Sequence, residues 1–312
     1  MRKFVLFCAS FCAMLILFSA SPVRAQLVVY WVSPNGSDAN NCAQTSPCLT
    51  FQGAINRSNG EPNPQVRCLT SGNYGTINLT TSFTIDCGAG NVGEILDSSS
   101  SGHAVTINTN SAATVILRHL SLSNFASTGD AINATMAGGS LIVEDCSIQN
   151  FTAGNGVTFV PGGGRGQLQV SNSRVVNNGV GIAVSAPSGQ IATVTINQVE
   201  MIENNGYGLF LGGLGVVAGE MRNSVAVGSQ SYGVYASTSQ VYFTLNTSSF
   251  IANLVAGIKT ASNGSNLNVT GSTISGNGTG VLATNGSIIS FGNNTLNGNG
   301  SNGAFTSTEA LQ

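Results

Sequence analysis

Three pairs of opposite charge recur at one spacing in this 312-residue chain: Arg118 and Glu144, His119 and Asp145, and Arg174 and Glu200, each 26 residues apart. A histidine beside an aspartate is the least equipment for acid–base work, because the carboxylate orients the imidazole and supports its charge. The same spacing has a plainer consequence. If one repeat stacks on the next, each pair becomes a surface ion pair that fixes register, contributing roughly 0–1 kcal/mol. No nucleophile accompanies the pairs, and the plainer reading is preferred. A second set, Phe210, Tyr235 and Lys259, is spaced by 25 and 24 residues. Two aromatic rings can stack on sugars, and a lysine can meet a uronate or a sulfate. The alternative is that the two aromatics merely cover a sheet beneath a loop such as Leu214 to Gly219.

Spacings of this kind require a repeat to position them. Copies of a V-x-x-small-x-V unit, an Asn bend and a Gly-[Ile/Val]-x-apolar segment begin at Leu117, Val143, Val170, Ile196, Met221, Leu245, Val269 and Phe291. The glycines opening the second halves are Gly156, Gly181, Gly208, Gly233, Gly257, Gly280 and Gly303, with Ala131 in the first copy. Such a period means a solenoid, in which no copy buries its apolar face alone. Leu117-x-x-Leu120-x-Leu122-x-Asn124 fits a leucine-rich repeat locally, but the return segments do not. Gly-Ile-Ala-Val (181–184), Gly-Leu-Phe-Leu (208–211) and Gly-Val-Tyr-Ala (233–236) read as short strands broken by Gly, Ser and Asn, so an all-β parallel β-helix is predicted. Val170, Ser173 and Val175 should stack inward on Ile196, Val199 and Met201, and those in turn on later copies such as Leu245, Ser248 and Phe250. At the bend, Asn172, Gln198, Asn223 and Asn293 should bond one another up the stack. The outward row of the returning strands reads Asn133, Thr158, Ala183, Phe210, Tyr235, Lys259 and Leu282.

Residues 1–25 read as a secretory signal, with Arg2 and Lys3 before an apolar run and Val23-Arg24-Ala25 at the cleavage site. No later stretch is long and apolar enough to span a membrane. Without Arg2, Lys3 and Arg24, seven of the ten basic residues face twelve acidic ones, a net charge near −5, and Lys259 is the one lysine left. No basic stripe exists, so nucleic acid is a poor partner. Five cysteines remain. Cys42 with Cys48, and Cys68 with Cys87, are the expected disulfides of an exported protein. Cys146 falls on an inward position and should be a buried, inert thiol. No spacing suggests a metal, and no cofactor is expected.

The opening Tyr30-Trp-Val-Ser-Pro-Asn-Gly-Ser-Asp38, followed by Cys42 and Pro47-Cys-Leu-Thr-Phe-Gln-Gly-Ala-Ile55, resembles secreted right-handed parallel β-helix proteins of the pectin-lyase-like superfamily. Val66-Arg-Cys-Leu69 and Thr84-Ile-Asp-Cys87 are similar to the first coils of bacterial members without assigned activity. The resemblance implies an N-terminal cap over residues 26–65, with Thr50 as N-cap of a short helix presenting Phe51, Ala54 and Ile55, and a β-helix of about ten coils over 66–312. It also implies that substrates lie along the outward row that includes Phe210, Tyr235 and Lys259. The superfamily's lyases use clustered acids for Ca²⁺ with an Arg or Lys base, and its polygalacturonases use aspartates near Gly-His-Gly. Neither pattern occurs here, and Ser101-Gly-His103 is not the hydrolase motif. Asp130 is the acid nearest the row. The expectation is therefore an exported protein that binds or presents to polysaccharide without cleaving it. A divergent lyase or epimerase using Lys259 or Arg165 as base is the alternative. An adhesin-like spacer that self-associates through its C-terminal edge is a third reading.

Overall fold

The computed structural model describes residues 28–310, apart from 89, 99–101 and 126–127. The signal segment 1–25 and Ser101 lie outside the described residues. The chain winds into a parallel β-solenoid with three strands in each turn. In one turn Val157–Pro161 forms the front, Arg165–Ser171 the flank and Arg174–Val176 the back, and Ile182–Ala186 then starts the next front. Front and flank ladders belong to one twenty-stranded sheet, because Ala256–Thr270 and Thr279–Ser290 run through both. The back ladder is a separate sheet of ten short strands. Ten such strands enclose about nine turns, one fewer than expected.

Inward columns hold the solenoid together. Leu117, Val143, Val170, Ile196, Met221, Leu245 and Val269 pair in register and are all fully buried. Burial of apolar surface at about 25 cal/mol per Å² is the main drive, and no turn obtains it without its neighbours. The final turn slips by one residue. Ser290, not Phe291, pairs with Val269, and Gly303 pairs with Val281 rather than with the glycine before it.

The two bends flanking the back strands solve the problem of buried polar groups in different ways. At the first bend His119, Asp145, Asn172, Gln198, Asn223 and Thr247 adopt left-handed backbone conformations, with φ between 47° and 55°. Beneath them runs a ladder of serines. The Ser248 hydroxyl accepts from Ser224 N–H at 3.3 Å, and the Ser272 hydroxyl accepts from Ser248 N–H at 3.2 Å. Each hydroxyl in turn donates to the carbonyl two residues back, at 2.7 Å for Ser224 and 2.9 Å for Ser248. Cys146 occupies the same column. Its thiol donates to the Glu144 carbonyl at 3.2 Å, and burial pushes its pKa up to about 12, so it is the inert thiol expected.

The asparagine ladder predicted at this bend stands instead at the second one. Asn178, Asn204, Asn253 and Asn277 are buried there. The Asn253 and Asn277 side-chain amides each donate to the carbonyl oxygen of the next asparagine at 2.9 Å, the last being Asn299. Each of those oxygens also accepts the preceding asparagine's backbone N–H, at 2.9 and 3.0 Å. The amides matter most where water cannot reach, which is why the ladder formed inside and not on the exposed bend. The recurrent glycine follows from it. A Cβ on Gly233 would sit 2.6 Å from the Gly257 carbonyl oxygen and 2.9 Å from Asn253 Nδ2.

At the N-terminal end Val29–Val32 pairs in parallel with Gln65–Cys68, and the helix Phe51–Arg57 buries Phe51 and Ala54 against the first turns. Thr50 caps the helix by accepting from Gly53 N–H at 2.9 Å. Cys42–Cys48 and Cys68–Cys87 are disulfide-bonded as expected.

Replacing Asn277 with Ala strands buried backbone groups and should cost about 2–4 kcal/mol in urea unfolding, whereas Asn223→Ala at the exposed bend should cost less than about 1. Ser229 interrupts the ladder with a buried hydroxyl that has no partner. Ser229→Asn should therefore add about 1 kcal/mol, provided the amide reaches Asn253. An unchanged or lowered midpoint would show that it does not.

Candidate binding face

Outward positions of the front ladder form rows, two of which carry the aromatic rings. The first holds Asn133, Thr158, Ala183, Phe210, Tyr235, Lys259 and Leu282 in unbroken register, as the spacing predicts. The second, three residues earlier in each turn, contains Tyr207 paired with Tyr232. Four half-buried rings therefore meet on two adjacent turns. Tyr207 and Tyr232 stack with centroids 5.5 Å apart and planes 8° from parallel. Phe210 and Tyr235 meet edge to face at 5.8 Å, and Tyr232 lies 5.1 Å from Tyr235. Burial, then the neighbouring Tyr235 and Tyr232 hydroxyls, raise the Tyr207 pKa. Gly212 makes room for Phe210, since a Cβ there would lie 2.6 Å from its Cζ. The segment after Leu214 does not cover the rings, because Val216–Arg222 is a flank strand.

Tyr207 and Tyr232 were not among the residues singled out by sequence. The signal was available as an aromatic-x-x-aromatic doublet, Tyr207/Phe210, repeated 25 residues later as Tyr232/Tyr235. Lys259 departs from expectation. It keeps its place in the outward row but is only 8% exposed, its Nζ is hydrogen-bonded to Thr284 Oγ1, and desolvation lowers its pKa. It is not an open cation waiting for an anionic sugar. Arg165 lies at the start of a flank strand, on a different face from Lys259.

The N-terminal end of the face is polar. Asp130 is 9% exposed, and both its oxygens are engaged, Oδ1 by Asn155 N–H at 2.7 Å and Oδ2 by Asn133 Nδ2 at 2.8 Å. His103 Nδ1 accepts from Asp130 N–H at 2.9 Å. Asp130 thus anchors a turn and has little capacity left for a substrate.

The charged pairs lie off this face, around the first bend. Arg118 Nε and Glu144 are 2.6 Å apart, Arg174 Nε and Glu200 are 3.4 Å apart, and His119 Nε2 lies 3.8 Å from Asp145. His119 has a closer partner that the 26-residue period conceals: Nδ1 stands 2.8 Å from Asp86 Oδ1. Asp86 pairs in register with Arg118, 32 residues on, because the chain between them is longer than one repeat. Burial pushes the Asp86 carboxyl up, but the Gly88 N–H, His119 and Arg118 outweigh it and hold its pKa below the usual aspartate range. These groups clamp adjacent turns. Among the described residues no group of three or more His, Cys, Asp or Glu is placed to hold a metal ion.

Residues 188–311 match the family model of the right handed beta helix region. The solenoid is a right-handed parallel β-helix. Among solved structures, the β-helix is similar to pectate lyase Pel9A at 15% identity and a TM-score of 0.46, over 91% of this chain and 80% of that one. It is similar to a rhamnogalacturonan lyase at 10% identity and 0.30, over 84% and 67% of the two chains. The A-module of the Azotobacter vinelandii mannuronan C-5 epimerase AlgE6 matches at 13% identity and 0.34, over 83% and 92%. Likeness this distant transfers no site residue. No curated protein matches the chain.

A carboxylate with a lowered folded pKa stabilises above its unfolded pKa and loses that contribution as pH falls through the folded value. Asp86→Asn should thus cost about 1.5 kcal/mol at neutral pH, and the gap from the parent should close below about pH 4 in acid-unfolding curves. A gap that persists in acid would show that packing, not charge, carries the effect.

Proposed function

We propose that the β-helix is an exported protein that binds polysaccharide along its front ladder without cleaving it, at the cell envelope or outside the cell. The observation that carries this reading is the cluster of Tyr207, Phe210, Tyr232 and Tyr235, half open to solvent on a face that bears little charge among the described residues. Packed rings are pre-ordered, so a sugar polymer laid across them loses little side-chain entropy on binding. The two disulfides suit an oxidising compartment, and among the described residues no helix is long and apolar enough to cross a membrane.

One observation favours a second reading. Desolvation of Lys259 lowers its pKa, as a general base in a lyase or epimerase requires. Against it, the Nζ is already held by Thr284 and no clustered carboxylates accompany it. Release of unsaturated uronate from a polymer without added metal would establish that reading.

The pair Tyr207→Ala/Tyr232→Ala, and separately Phe210→Ala/Tyr235→Ala, should each weaken retardation in polysaccharide-cast gels by roughly tenfold, about 1.4 kcal/mol. Circular dichroism and urea midpoints would separate this from loss of fold. Retardation equal to the parent's in both folded variants would show that the rings only cover the sheet.

A further inference from the structure

Building on that reading, we propose that the front ladder takes a neutral polysaccharide, and that polyuronates and sulfated glycans are not held there. The argument is one of charge placement. A polyanion laid on a protein needs open cations along its path, because each charge that is desolvated without a partner costs more than its contacts return. Among the described residues of these outward rows the only cationic side chain is Lys259, buried to 8% exposure and engaged by Thr284. Asp130, at the polar end of the face, is negative and would repel a uronate. Every arginine of the described chain lies elsewhere. Arg118, Arg174 and Arg222 pair with glutamates on the flank and back, at 2.6, 3.4 and 3.4 Å. Arg57 bonds the carbonyls of Asp38 and Ala39, and Arg67 and Arg165 belong to flank strands.

What the face does offer suits hydroxyls and apolar ring faces. Asn133, Asn155 and Thr158 stand at its N-terminal end. Ala183 follows on the next turn, and the four rings begin one turn beyond that, turns being spaced by about 4.8 Å. A neutral polymer running along the solenoid axis meets the amides beside the internally bonded Asp130 first and aromatic surface next, and it brings no charge of its own to desolvate.

The test is affinity electrophoresis of the full chain in gels cast with β-glucan, galactomannan, polygalacturonate or a sulfated galactan, each at low and high salt. Retardation confined to one or both neutral gels, and unaffected by salt, is the expected result. Retardation in either polyanion gel, fading as salt rises, would overturn the neutral assignment while sustaining polysaccharide binding. Free migration in all four gels would overturn the binding reading and this inference with it.

Discussion

Stacking of parallel turns about 4.8 Å apart is the constraint on which everything else in this molecule depends. A strand can satisfy its backbone with the turns above and below, but a bend cannot, because no sheet runs through it. Where the bend faces inward, every N–H and C=O must find a side chain repeated at the same place in the next turn. The chain meets this with serines at one corner and asparagines at the other. The asparagine amide both donates up the ladder and returns a bond to the carbonyl of a back strand, as Asn277 does to Phe250 at 2.9 Å. Nothing larger than hydrogen fits on the opening glycine of the next front strand, since the amide and the adjacent carbonyl fill that space. The repeat seen in the sequence is the imprint of this single packing requirement.

Because the requirement concerns the interior, it leaves the outward rows free. The flank and first bend spend that freedom on ion pairs between adjacent turns. The front spends it on rings, amides and small side chains. Charge that holds one turn to the next at the bend is therefore separated from the face where a polymer could lie. His119 illustrates the division: with Asp86 on one nitrogen and Asp145 near the other, it has the look of catalytic equipment and the surroundings of a clamp.

Legibility in the sequence followed the same line. Columns spaced by the repeat, including Phe210 over Tyr235 and Arg174 over Glu200, could be read directly, because register in a solenoid is spacing. Side-chain depth could not. Lys259 occupies the expected row, yet Thr284 and its neighbours enclose it, and no period reports that enclosure. Asp86 was hidden for a different reason: a longer connection before Arg118 breaks the period, so its partner lies 33 residues away rather than 26. The corner that carries the asparagine ladder is not legible, because both corners are rich in Asn and composition does not say which of them is dry. Tyr207 and Tyr232 stand three residues before the row that strand alternation picks out, so alternation alone does not mark them.

These placements bear on the choice between binder and enzyme. Acid–base chemistry on a sugar needs carboxylates or a base with open valences beside the substrate. On the front ladder the single carboxylate has both oxygens spent on a turn, and the single lysine has given its ammonium to a threonine. The aromatic rings are different. Their contacts with each other leave them half exposed, so a polymer adds to the packing already present and displaces none of it. A polymer laid on this face would keep every interaction that builds it, which is the physical ground of the binding proposal.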